Sequence, residues 1–364
     1  MERLNGYRMR LVVVGIVVAM VTGGQNAKAD FTFGEPTNLG PTVNTPGHDY
    51  RPNISTDGLD LYFHSDRPGG NGDYDLWTTT RHTTNDPWGE PINLGSTVNS
   101  SARDQSPSIS ADGLSLYFAS RRPGGYGEFD IYVTKRTTKD DPWEAPVNLG
   151  AVVNSNTIER NVNISASGLE LYFSSDRPRG YGNDDLWVTI RATNEDPWGE
   201  AVNLGSMVNT SAFDRRSTIS ADGLVLFFDS SRSGGYGGND IWMTTRPTTS
   251  DAWTQPVNLG PTVNSPYSDA TPCISANGST LYFGSYRPGG LGDSDIWQVS
   301  LEPVVDLNGD GIVDSADMCI MVDHWGTDYS LCDIGPMPWG DGIVDVQDLI
   351  VLAEHLFEEF PPVE

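Results

Sequence analysis

The sequence predicts an all-β body, a five-bladed β-propeller closed by its own N-terminal strand, followed by a small α-helical module. Three observations carry this. The triplet Asn-Leu-Gly begins at Asn38, Asn93, Asn148, Asn203 and Asn258, each step being 55 residues, a period that marks a propeller or a solenoid. Each period holds four short apolar or alternating runs bounded by turn residues, the content of one propeller blade. The period then ends, and Asp/Gly-rich loops and helix-forming runs follow.

The 364 residues include 40 Gly and 24 Pro, which interrupt any long helix. A net charge of −27 argues against a nucleic-acid partner, because such a surface repels a phosphate backbone. At the N-terminus Arg3, Arg8 and Arg10 precede the apolar run Leu11 to Val21, which is short for a bilayer span. Ala27-Lys28-Ala29 then suits signal peptidase. Residues 1–29 therefore read as a signal peptide cleaved after Ala29, giving a secreted chain with no membrane span. That segment carries four bases and one acid, so its removal takes the charge to −30. The three cysteines give no disulfide framework. Cys319 and Cys332 can pair in an oxidising compartment. Cys273 stands in a column with Asn53, Ser108, Asn163 and Thr218 and reads as a small strand residue, not a nucleophile.

Residues 30–303 form the repeat array. In its second unit the expected strands are SPSIS, LSLYFAS, DIYVTKR and WEAPVNL, with Asp112-Gly113 at the tip of the first hairpin. The segment FTFGEPTNLG matches only the last strand of a unit, with Phe33 in the column of Trp88, Trp143, Trp198 and Trp253. The fifth unit ends after its third strand, DIWQVS. The N-terminal segment supplies what the fifth unit lacks, which leaves no open sheet edge. The unit SPSISADGLSLYFASRRPGGYGEFDIYVTKR resembles the PD40 (WD40-like, TolB-type) propeller repeat. The resemblance spans about Asp30 to Glu302 and implies the fold, but such blades serve many functions.

Three charged columns keep the period. Arginine stands at Arg67, Arg122, Arg177, Arg232 and Arg287, and aspartate at Asp75, Asp130, Asp185, Asp240 and Asp295. Five equivalent pairs cannot converge on one substrate, so Arg67–Asp75 and its four counterparts are expected to brace the second strand of each blade to the third by charge-assisted hydrogen bonds. A third column, Asp49, Asp104, Glu159, Asp214 and Asp269, precedes each first strand. Either these acids ring the mouth of the central channel and hold a cation or basic group, or each accepts backbone hydrogen bonds as turn acids do. The first unit alone carries histidines, His48, His64 and His82, beside Tyr50 and Asp66. His64 and Asp66 are two apart along a strand and are candidates to share a face. The hairpin STDGLDLYF differs from a sialidase Asp box, since Gly58 follows Asp57 directly and no Thr-Trp ending is present.

The second module, residues 306–358, opens with DLNGDGIVDSAD. Asp306, Asn308, Asp310, Asp314 and Asp317 fall at loop positions 1, 3, 5, 9 and 12, with Gly311 at 6 and the Ile312 carbonyl at 7. Hard oxygen donors at this spacing, around a glycine that permits the sharp bend, suit calcium. A helix, ADMCIMVDHW, follows. A second loop, GDGIVDVQD, leads into LIVLAEHLFEE. Counting back from Asp348 puts Met337 and Trp339 at positions 1 and 3, where neither suits calcium. An enlarged loop would instead recruit Asp333 to join Asp341, Asp345, Asp348 and the Ile343 carbonyl. The paired loop–helix units resemble a type I dockerin. That resemblance implies a cohesin partner, read through Ser315 and Ala316 in the first unit and Val346 and Gln347 in the second. It also implies membership of an extracellular polysaccharide-degrading assembly.

The expected function is a secreted, non-catalytic binding or scaffold propeller, tethered through the calcium-dependent module, with a polysaccharide or cell-wall glycan as ligand. The alternative is a propeller hydrolase acting on O-glycosyl bonds, although no convincing carboxylate pair is visible for it. A third reading is an envelope interaction hub.

Overall fold

The computed structural model describes residues 31–327, 329, 331–335 and 343–359. The expected leader, residues 1–29, and Met337, Trp339 and Asp341 of the second loop lie outside them.

Five antiparallel sheets are arranged around a central channel. The first, innermost strands are Asp49–Ile54, Asp104–Ile109, Glu159–Ile164, Asp214–Ile219 and Asp269–Ile274. The second strands are Asp60–Ser65, Ser115–Ser120, Glu170–Ser175, Val225–Ser230 and Thr280–Ser285. The third begin at Asp75, Asp130, Asp185, Asp240 and Asp295. The fourth are shorter than the sequence suggested: Val147–Asn148 is the whole of that strand in the second blade. Trp143, expected inside it, instead packs under the Arg136 guanidinium, 4.3 Å from the ring centre.

The ring closes as expected. Phe31–Phe33 pairs with Leu301–Pro303, and Thr37–Asn38 with Trp297–Gln298 of the fifth blade. Asn38 donates to Asp295 Oδ2 at 2.8 Å, as Asn148 does to Asp130 in the second blade.

Second strands lie between two sheets and are buried on both faces. Phe63, Phe118, Phe173, Phe228 and Phe283 are fully enclosed. The core is therefore not inside a blade but between blades: Tyr62 and Leu76 of the first pack with Ile109, Leu116 and Phe118 of the second. Each such large apolar side chain contributes about 1.5–3 kcal/mol by leaving water.

The repeated polar columns lock this packing, but with partners other than those expected. Arg122 Nη2 bonds Asp104 Oδ1 and Val98 O, both at 2.7 Å, and its Nε bonds Ser120 Oγ. Arg67 pairs likewise with Asp49, Arg177 with Glu159, Arg232 with Asp214 and Arg287 with Asp269. The expected pairings Arg67–Asp75, Arg122–Asp130, Arg177–Asp185, Arg232–Asp240 and Arg287–Asp295 are corrected accordingly. Asp130 instead accepts from Tyr126 N and Gly127 N, at 2.6 and 2.9 Å, clasping its own glycine-rich turn. Eight residues of sequence had suggested contact, but the turn folds back onto the aspartate and fills its lone pairs first. Both columns remain braces. Each arginine ties its strand to the acid of the same blade, and each aspartate ties its turn to the fourth strand.

The C-terminal module has its own apolar core, Val305 to Leu352. Two short helices, α1 (Ser315–Asp323) and α2 (Val346–Glu354), each start from an aspartate N-cap, Asp314 and Asp345. The halves are exchanged: Val313 N donates to Glu358 O after α2, and Val344 N donates to Thr327 O after α1. Among the described residues no helix is long and apolar enough to cross a membrane.

Candidate binding site at the channel mouth

The acid column does not ring the channel mouth. Asp49, Asp104, Glu159, Asp214 and Asp269 are 0% exposed, each held by its arginine and by the backbone N–H four residues upstream. Of the two readings left open by the sequence, the turn acid is the one observed.

What does face the channel is the column two residues further on. Every first strand carries a β-bulge there: register shifts between Tyr50 and Asn53, and equivalently in the other four blades. At the bulge Arg51, Ser106, Asn161, Arg216 and Thr271 adopt φ between 54° and 60°. A left-handed backbone at a non-glycine residue costs of order 1–3 kcal/mol and tends to collect at functional positions. The bulge also re-aims the side chain, here into the channel, where all five line a cavity of about 30 Å³.

Around this mouth the fivefold pattern fails. Arg160 and Arg215 follow the acid in blades three and four, where blade one has Tyr50 and blade five Ala270. Arg160 Nη2 lies 2.7 Å from Asp184 Oδ2, and Arg216 Nη1 lies 3.1 Å from Asp229 Oδ2. Arg215 stands between the two acids, 3.8 Å from Asp184 and 4.0 Å from Asp229. Arg216 reaches across the channel to the Tyr50 ring, 5.6 Å from its centre. Tyr50 meets Tyr286 edge-on at 5.9 Å. Arg51 donates to Ser106 Oγ and has no ion pair with a described acid.

The electrostatics follow from crowding like charges out of water. Burial, then Arg216 and Arg160, pushes the Arg51 pKa well below its usual value. Burial and Arg216 push Arg215 down to about 10. Burial also opposes the charge on Arg216, but Asp229, with Tyr50 and Tyr286, outweighs it and holds that pKa up. His64 is kept neutral by burial and by Arg51, Arg216 and Arg103.

His64 and Asp66 do not meet. Asp66 Oδ1 accepts from His48 N at 2.8 Å, while the His64 ring packs edge-on to Tyr50 and Tyr74. His82 is exposed and takes no part in this cluster. Burial pushes the Cys273 thiol up to about 12, and its Sγ accepts from Ile54 N across the closing blade junction, in keeping with a packing role. Cys319 and Cys332 are both free thiols.

The chain matches no protein-family model and no curated protein sequence. Solved structures similar to it include TolB from Acinetobacter baumannii, 16% identical with a TM-score of 0.45, covering 70% of this chain and 55% of that one. The chain thus spans about half the length of that protein. A thermostable family-43 glycoside hydrolase is 10% identical with a TM-score of 0.48, covering 73% of this chain and 92% of that one. The catalytic domain of Coprinopsis cinerea GH62 α-L-arabinofuranosidase is 11% identical with a TM-score of 0.50, covering 74% and 97%. The likeness is one of fold. The body of this chain is a five-bladed β-propeller.

In the C-terminal module the first loop curls around Asp306, whose Oδ1 accepts from Gly309 N and Oδ2 from Gly311 N, both at 2.8 Å. Gly309 and Gly311 take φ of 74° and 91°, open to glycine without strain. Asp317, fully buried, accepts from Leu307 N and Asp314 N, and Asp314 caps α1. Asn308 and Asp310 lie at the exposed rim, and Ile312 is also exposed. Among the described residues no three His, Cys, Asp or Glu side chains converge tightly enough to hold a metal ion. By type, however, the donors of this loop are those calcium takes. In the second loop Asp345 caps α2, Asp348 accepts from Gly335 N at 2.7 Å, and Asp333 is buried. Burial raises the Asp348 pKa. Ser315, Ala316, Val346 and Gln347 are all exposed in the first turns of the two helices.

Proposed function

We propose that this is a secreted, non-catalytic binding propeller that presents the channel mouth to a glycan, with the C-terminal module as its calcium-dependent tether. The carrying observation is the state of the two acids buried at the mouth. Asp184 and Asp229 are each engaged by arginine, so neither is placed to give or take a proton at a glycosidic oxygen. Glycoside hydrolysis needs one carboxyl kept protonated and a second carboxylate facing it across the bond. The convergence of these two acids is the one feature that favours a hydrolase, and their ion pairs count against it.

Asp306, Asn308, Asp310, Asp314 and Asp317 with the Ile312 carbonyl would hold calcium in the first loop. Asp333, Asp341, Asp345 and Asp348 with the Ile343 carbonyl would hold it in the second. Bound calcium supplies a charge that ties each loop to its helix. Support for a protein partner of cohesin type comes from the exposed apolar residues near the four reading positions: Cys319 and Val322 on α1 with Trp325 just after it, and Ile350 on α2 with Phe357 just after it.

The test is retention of the full chain on a polysaccharide panel, with product release followed in the same samples. Retention without new reducing ends is expected, and release of sugar would sink the non-catalytic reading. For the tether, calorimetry should show calcium binding that weakens strongly in Asp306→Ala, and unchanged affinity would mean the loop is misread.

A further inference from the structure

Arginine is distributed unevenly in this acidic protein. Between residues 31 and 303, nine arginines belong to two architectural columns, the five that hold the buried acids and the four, Arg81, Arg136, Arg191 and Arg246, that lie over Trp88, Trp143, Trp198 and Trp253. Six of the remaining seven, Arg51, Arg103, Arg121, Arg160, Arg215 and Arg216, gather at one end of the channel.

We propose that this end is the subsite for the carboxylate group of an acidic, uronate-bearing glycan, gripped by Arg51 and Arg216 with its sugar ring against Tyr286 and Tyr74. The inference rests on the binding reading above and supplies its ligand class. Four observations carry it. First, Arg51 has no described acid as partner, although Arg160, Arg215, Arg216 and Arg121 each have one. A half-buried cation without its counter-ion destabilises the fold, and an incoming anion would relieve that. Second, the Nε atoms of Arg51, Arg160, Arg215 and Arg216 are sealed from solvent without an acceptor, Asn161 Oδ1 is sealed without a donor, and Ser217 Oγ without a partner. Buried polar atoms are normally satisfied, so these six, four of them on residues that line the cavity (Arg51, Asn161, Arg216 and Ser217), point to a missing group. Third, a cavity of about 30 Å³ admits a flat two-oxygen group and no sugar ring. A ligand therefore enters by its carboxylate, leaving the ring at the rim, where Tyr286 is 42% exposed and Arg103 lies 4.5 Å over Tyr74. Guanidinium forks match carboxylate geometry. Fourth, Arg103, which has no ion pair with a described acid and lies over Tyr74, extends the positive charge beyond the cavity, which suits a chain bearing carboxylates on successive units.

The experiment is calorimetry of the full chain with a galacturonate trimer, its carboxyl-reduced counterpart, a neutral xylose trimer and an oligoglutamate of matched charge, repeated with Arg51→Gln and Arg216→Gln. Binding of the galacturonate alone is expected, about tenfold or more weaker in Arg51→Gln. Thermal unfolding of unliganded Arg51→Gln should occur no earlier than that of the parent, since the change removes repulsion from Arg216. A purely structural Arg51 would lower it. Should Arg216→Gln fail to fold because Asp229 loses its partner, Arg51→Gln still decides. Equal binding of the reduced or neutral trimer overturns the carboxylate inference and leaves the binding propeller standing. Equal binding of oligoglutamate, or parental affinity in Arg51→Gln, also overturns it. No binding of any sugar overturns both readings.

Discussion

The two ends of the channel are built from opposite ends of the same five strands and differ sharply. At one end the lining repeats almost perfectly: Ile54, Ile109, Ile164, Ile219 and Ile274, with Thr56, Ala111, Ala166, Ala221 and Ala276. At the other the pairs differ in every blade, with only Arg160 and Arg215 alike: Tyr50-Arg51, Gln105-Ser106, Arg160-Asn161, Arg215-Arg216 and Ala270-Thr271. Both ends share one backbone, so folding alone does not demand the difference. The repeated end shows what the propeller requires, and the irregular end shows what has been placed on it.

The comparison can be broken hardest in the shared frame. Asp104→Ala would leave Arg122 without its buried acid and should cost about 3–5 kcal/mol of stability in denaturant unfolding. A loss under about 1 kcal/mol would show that the Val98 and Ser120 contacts suffice. Next, Asn38→Ala removes the bonds to Asp295, Gly40 and Asn44. It should lower stability by about 1–3 kcal/mol, and an unaltered midpoint would mean strand pairing alone latches the ring. At the irregular end the handle is pH. His64 is held neutral when folded but takes a proton near its usual 6.5 when unfolded. The unfolded chain then binds more protons below that value, so this contribution to stability falls as pH drops below about 6.5, at no more than ~1.4 kcal/mol per pH unit. Melting curves of His64→Gln should fall less steeply with acid than those of the parent, and parallel curves would refute the assignment. Smallest of all, Thr56→Ala at the regular end should stay within about 0.5 kcal/mol and leave ligand binding unchanged.

Much of the frame was legible because it repeats. The 55-residue step, the orphan strand at Phe31–Phe33 and the missing fourth strand of the last unit gave blade number and closure. Sequence separation misled on the braces: Arg122 lies nearer Asp130 in sequence, but antiparallel pairing sets Ser120 opposite Asp130 and brings Arg122 to Asp104. The site was hidden for a different reason. Arg51 and Arg216 face the axis because a bulge turns them there, and no residue type announces a bulge when the positions hold Arg, Ser, Asn, Arg and Thr. The signal lies in the columns that vary: Tyr50 and the first unit's histidines, and with them Arg51, Arg160, Arg215 and Arg216. The second loop stayed open because Asp333 is distant in sequence from Asp341 and Asp345.

The seam of the ring has a consequence for synthesis. Phe33 pairs with Leu301, so a ribosome must add some 270 residues after one half of the seam before making the other. At roughly 5–20 residues per second that is a wait of about 13–54 s, during which the first four sheets can form in turn but the fifth cannot. The opening segment spends this interval as an unpaired strand, and Thr37 and Asn38 beside it are small, polar and poor at self-association. The last blade therefore acts as a timer: the ring exists only when the whole propeller has been made.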